Sequence, residues 1–186
     1  MFKRLILIAV ALLMLLGTAF AEGLPAFEPY AAALPAPEGA EWKEDGDLRV
    51  MNLGNDIQIH ICLIDENIAA LTVVAPAETD FSEAAVTAIC ALNVLSEESL
   101  NQLSALSEET ALEGYLITPM RGKSYAGIAI RPSESEAEWV WQPLRGGEKY
   151  HAKPICGRTE APRLETKEAA EALDFAPCSK CFKAEN

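Results

Sequence analysis

Positive charge is scarce in this chain. Its 186 residues carry 15 Lys and Arg against 28 Asp and Glu, a net charge of -13. Nucleic-acid coats and polybasic membrane binders need a positive footprint for phosphates, so this balance argues against both. Aromatic residues are also few, at 7%, yet half of all residues are hydrophobic, with Leu, Ile, Val and Ala plentiful. That composition excludes global disorder, and the length allows one or two domains with a real core. The five cysteines are too sparse for a disulfide scaffold and sufficient for one metal site. No Gly-rich phosphate loop precedes a helix, and Ser, His and Asp do not occur in a nucleophile-elbow context. Glu97-Glu98 and Glu108-Glu109 read as helix starts and solvated runs, not acid–base pairs. The chain therefore offers no catalytic residues, and the expectation is a protein that is not an enzyme.

Only one apolar run is long. Lys3 and Arg4 precede the 12 apolar residues Leu5 to Leu16, and Ala19-Phe20-Ala21 supplies small residues at a peptidase site. This is the layout of a signal peptide over residues 1–21, cleaved after Ala21. A spanning helix needs about 20 apolar residues, so the run is short for an anchor. The expectation is an exported protein, secreted or associated with the cell envelope, with no membrane span after cleavage.

Charge is unevenly spread over the rest. Residues 22–142 carry a net of -16 and residues 143–186 a net of +1. That break predicts two separable modules. Residues 22–46 hold Pro25, Pro29, Pro35 and Pro37 among several Ala and read as an extended tether. Residues 47–132 read as an acidic α+β domain. Strands are predicted at Asp47–Leu53, Ile57–Ile64 and Ile68–Ala75, joined by the turns Gly54-Asn55-Asp56 and Asp65-Glu66-Asn67. Two helices follow, one starting at Asp80-Phe81-Ser82-Glu83 and one at Ser96, each with an apolar face. A second hairpin over Tyr115–Arg131 completes a small antiparallel sheet with two helices on one face. His60 stands on the less apolar face of its strand and has no partner pattern that points to catalysis. Cys62 and Cys90 are either a disulfide across the sheet–helix interface or two small buried side chains.

The C-terminal stretch, residues 138–182, carries the most specific pattern. Trp139-Val140-Trp141 reads as a strand, Arg145-Gly146-Gly147 as a turn and Glu148–His151 as the return strand. A Pro-containing loop and a helix over Lys167–Leu173, capped by Thr166, come next. The soft ligands are spaced His151-x4-Cys156-x21-Cys178-x2-Cys181. A Cys-x2-Cys turn and a His–Cys pair together suit one closed tetrahedral zinc site, structural because no position is left for water. A disulfide or redox pair at Cys178-Cys181 is the alternative that the spacing leaves open.

Lys149-Tyr150-His151, Cys156-Gly157, Thr166 to Leu173 and Pro177-Cys178-Ser179-Lys180-Cys181 together resemble the zinc-binding module of the Ada DNA-repair family. The resemblance covers about a quarter of the chain. It is to the variant with Tyr-His in place of the first Cys, which recurs at the C-termini of exported bacterial proteins and some secreted nucleases. Asp174 stands where that family usually ends the helix with Gly, and Asp tolerates the left-handed geometry. In the family, the first Cys accepts a methyl group from a DNA phosphotriester. His151 occupies that position here, and a zinc-bound neutral imidazole cannot act as that nucleophile, so DNA repair is rejected. The leading expectation is an exported binding or envelope-associated protein with a protein or envelope partner. Its rivals are a thiol redox protein and an accessory of nuclease or hydrolase chemistry, the latter using Arg145, Lys149, Lys153 and Arg158 as a phosphate patch.

Overall fold

The computed structural model describes residues 23–157 and 159–182. The signal-peptide reading over residues 1–21 and the side chain of Arg158 lie outside them. The chain opens with α1 (Phe27–Ala33), β1 (Lys43–Asp45), β2 (Leu48–Gly54), β3 (Ile57–Ile64) and β4 (Asn67–Pro76). Helices α2 (Ser82–Ala91) and α3 (Glu97–Gln102) precede β5 (Thr110–Leu112), β6 (Tyr115–Arg121) and β7 (Tyr125–Pro132). The C-terminal part holds β8 (Trp139–Arg145), β9 (Lys149–Tyr150), β10 (Glu160–Thr166), α4 (Lys167–Ala172) and β11 (Ala176–Pro177). Strands β1 to β7 form one antiparallel sheet in the order β1-β2-β3-β4-β7-β6-β5. The fold is α+β. Among the described residues no helix is long and apolar enough to cross a membrane.

Turn chemistry and period-two alternation account for the sheet. Asn55 with Asp56, Asp65 with Glu66, and Glu113 with Gly114 all have positive φ. Two successive left-handed residues make the tight turn whose twist matches paired strands, and Asn, Asp and Gly tolerate it best. In β3, Ile57, Ile59, Ile61 and Leu63 face the helices and pack with Leu71, Ile89 and Leu103. Asp80 starts α2 by accepting the Ser82 N–H at 3.0 Å, and Ser96 starts α3 by accepting the Ser99 N–H at 3.3 Å.

Two stretches differ from the reading of the sequence, and proline explains both. The expected tether contains helix α1, whose Phe27 and Tyr30 are buried in the main core beside Leu24 and Leu34. Pro29 falls in the first turn, where a backbone N–H has no partner within the helix, and Pro35 follows its end. Proline here bounds a helix instead of preventing one. The expected Pro-containing loop is in part strand β10, antiparallel to β8 with Pro162 opposite Pro143. The Trp141 N–H, of the same parity as Pro143, points away from β10 to the His151 carbonyl at 2.8 Å. The Leu164 N–H, of the same parity as Pro162, points away from β8 to Thr72 Oγ1 at 3.1 Å. Both prolines therefore sit where no hydrogen bond between β8 and β10 is lost.

The β8–β10 ribbon covers the sheet face opposite the helices. Trp141 and Leu164 pack with Val74, Met120, Tyr125 and Ala129. The composition break near residue 132 is thus not a gap in the core. A buried polar cluster lies along the same contact. Glu165 accepts the Cys62 thiol at 2.9 Å and the Thr166 N–H at 3.1 Å, while Arg163 Nε donates to Gln142 at 2.9 Å. His60 is buried beside it, with Nε2 3.1 Å from Gln58 Oε1 and Nδ1 without a partner. Burial, then the nearby Arg163 charge, pushes the His60 pKa down to about 3. Cys62 faces this cluster and Cys90 is exposed, so both are free thiols and the disulfide between them is absent.

Candidate metal centre

The four candidate ligands lie just outside short elements. Strand β9 pairs in parallel with β11, and His151 follows β9 directly. Its backbone exchanges two hydrogen bonds with Trp141 of β8, at 2.8 and 2.9 Å, which fixes where the imidazole begins. Helix α4 positions the second pair. Thr166 caps it by accepting the Ala169 N–H at 3.2 Å. Asp174 ends it at φ 63°, with Asp174 N–H donating to Glu171 and Phe175 N–H to Ala170, each at 3.0 Å. That is a left-handed helix stop of the kind Gly usually makes, realised here with Asp.

The chain then returns through Ala176-Pro177 to Cys178, whose N–H donates to the Tyr150 carbonyl at 2.9 Å. Cys181 N–H and Phe182 N–H both donate back to the Cys178 carbonyl, at 3.0 and 2.9 Å, which closes the Cys-x2-Cys turn. Cys156 stands on the loop after His151. Thr159 Oγ1 donates to its carbonyl at 2.6 Å, and Gly157 beside it takes φ 67°. Tyr125 of the main sheet holds the same loop by donating to the Pro154 carbonyl at 2.9 Å. A ring contact between Tyr150 and Phe182, at 5.3 Å, and a hydrogen bond from Tyr150 to Glu171, at 2.8 Å, brace the two halves.

All four predicted ligands come together. One ligand atom from each of His151, Cys156, Cys178 and Cys181 lies within 4.8 Å of the others. Cys156 and Cys178 sulfurs are 3.9 Å apart, and Cys181 sulfur is 3.7 Å from His151 Nδ1. Thiolates about 2.3 Å from a tetrahedral zinc stand about 3.8 Å from one another. The sulfur pair matches that figure, and the sulfur–nitrogen separation is close to the ~3.6 Å that a zinc–nitrogen bond of about 2.05 Å would give. The Cys156–Cys181 separation, 3.3 Å, is shorter. This donor set can bind a metal ion, and three sulfurs with one imidazole favour zinc over the oxygen-seeking cations.

Electrostatics of the cluster point the same way. Hydrogen bonding to Cys181, then burial, pushes the Cys156 thiol up to about 11. The Lys180 backbone N–H, with that of Cys181, holds the Cys178 thiol below its ordinary value. Crowded sulfurs that resist a second negative charge are relieved by a divalent cation, which takes the place of their protons. Burial, then Lys149, lowers the His151 pKa, which favours the neutral imidazole that a metal would need.

Sequence reasoning missed the supports around the centre. Tyr125 and Glu171 carry no motif of their own, and only their approach to Pro154 and Tyr150 reveals them. The Cys62–Glu165–Arg163 cluster was hidden because β10 does not read as a strand. No family model, curated protein or solved structure matches this chain, and what the structure itself shows is the His151, Cys156, Cys178 and Cys181 cluster.

Proposed function

We propose that the protein is an exported binding or envelope-associated protein, without catalytic activity, whose C-terminal part is held together by a structural zinc ion. The observation that carries this reading is the closed set of four protein ligands, His151, Cys156, Cys178 and Cys181, within 4.8 Å of one another. A site filled by protein ligands has no open position for an activated water. The cation therefore acts on the fold: it joins the turn after β11 to the loop after β9, in a region with little apolar core. Cleavage after Ala21 would leave the buried Leu24 and helix α1 within the mature chain.

Elemental analysis of the mature protein, purified without chelator, tests the metal. One zinc per chain is the expected result. A chain free of metal whose four residues do not take up added zinc overturns the reading. Mass spectrometry of the secreted protein tests export, with Glu22 expected as the first residue. An intact Met1 in a membrane fraction would refute it.

A further inference from the structure

The three clustered sulfurs are not equivalent. Cys156 and Cys181 stand 3.3 Å apart, closer than Cys156 and Cys178 at 3.9 Å. Cys181 is the accessible sulfur of the cluster: it is half-buried, while Cys178 is buried. Cys178 is pinned as well, with its N–H on the Tyr150 carbonyl and its own carbonyl accepting from Cys181 and Phe182. Access makes Cys181 the sulfur an outside reagent meets, and Cys156 is the sulfur 3.3 Å from it. That pair crosses the centre, from the loop after β9 to the far end of the Cys-x2-Cys turn, and differs from the Cys178-Cys181 pair that spacing alone would choose.

We propose that this centre has a second, covalent state: a Cys156–Cys181 disulfide, formed by exchange with a small-molecule disulfide, that releases the metal while keeping the same two segments joined. The inference rests on the metal reading above. The Cys181 thiolate attacks one sulfur of the external disulfide, forms a mixed disulfide and expels one thiolate. The Cys156 thiolate then attacks Cys181 Sγ and expels the second. Two protein thiolates lose two electrons in total, and the external disulfide gains them to become two thiols after protonation by water. His151 and Cys178 alone cannot hold a tetrahedral zinc, so the ion leaves. The C-terminal part thereby exchanges a metal staple for a covalent one, which suits a chain that reaches an oxidising compartment.

The test uses the full mature chain, reduced and loaded with zinc, and exposes it to oxidised glutathione beside a zinc-indicator dye. Zinc content before oxidation is measured first, so failure of the metal reading shows at that step and takes the proposal with it. Remaining thiols are then alkylated and the chain is cut with trypsin, which cleaves after Lys180 and separates Cys178 from Cys181. The expected result is one zinc released per disulfide formed, a peptide containing Cys156 linked to one containing Cys181, and recovery of zinc binding after reduction. A Cys178–Cys181 link, or zinc retained with every thiol still protected from glutathione, would overturn the proposal.

Discussion

The seven-stranded sheet and the metal-ligating end of the chain solve the same problem by opposite means. Between the sheet and its helices, Ile59, Ile61, Leu71, Val73, Ile117 and Ile130 are all essentially inaccessible and form one continuous core. Each such side chain contributes about 1.5–3 kcal/mol by leaving water, enough together to offset chain entropy. Around β9, α4 and β11 the buried apolar cluster is only Val140, Tyr150 and Ala170, with Phe175 packed against it. So small a cluster cannot order its chain by burial. Under the reading proposed above, what stands in for a core there is ligation. The difference shows that hydrophobic patterning predicts structure only where burial supplies the stability.

Four measurements would break or sharpen this contrast. Metal removal should have the largest effect, because structural zinc contributes about 10 kcal/mol or more of apparent binding free energy. Chelation, or Cys178→Ser without chelator, should abolish amide protection around His151 and over residues 176–182 while β3, β4 and β7 stay protected. Uniform loss of protection would mean that the sheet depends on the metal too. Because protons compete with the cation for the thiolates and His151, the metal-bound state should weaken as pH falls.

Acid should probe the sheet through His60. Its pKa is about 3 when folded and about 6.5 when unfolded, so the unfolded chain binds the extra proton between those values. Stability should therefore fall as pH drops through that window, by up to a few kcal/mol at about 1.4 kcal/mol per pKa unit. Burial raises the pKa of Glu165 beside it, which gives the opposite slope, so the comparison is between the native chain and His60→Gln. Denaturant midpoints across pH 3–7 should show a shallower decline in the variant.

Gly127→Ala should come next. A Cβ there would lie 2.5 Å from the Val73 carbonyl oxygen and 3.3 Å from Val74 Cα, both backbone atoms in the neighbouring strand. The strands must shift, at a cost of about 3 kcal/mol. Urea unfolding should report that loss with zinc stoichiometry unchanged, and lost zinc binding would show that the two regions are not independent. The smallest effect tests the link between them directly. Tyr125→Phe removes the hydrogen bond that holds the Cys156 loop to the sheet, worth about 1 kcal/mol and thus about fivefold in zinc affinity. Competition titration against a zinc chelator would measure it, and an unchanged affinity would leave the loop positioned by its ligands alone.

Much of this was legible in the residues. The β2–β3–β4 meander followed from alternating Ile residues and from Asn, Asp and Glu in tight turns. The starts of α2, α3 and α4 followed from Asp80, Ser96 and Thr166. Proline was the weak point, because its effect depends on which edge of a strand or which turn of a helix receives it. Pro29 and Pro162 both occupy places where a missing N–H costs nothing, and no local signal distinguishes those from places where it breaks the element.

Local chemistry by itself determined the hairpins, the helix starts and the four candidate ligand residues, since turn conformation, capping and metal-donor type all act over a few neighbouring positions. Tertiary structure alone decided that α1 folds into the main core and that β10 lies across the back of the sheet. It also decided that Cys62 meets Glu165 instead of Cys90, and that Cys156 lies nearer Cys181 than Cys178. These are contacts between residues distant in sequence, and they form only where packing the whole chain brings apolar faces together and leaves each buried polar group a partner to find.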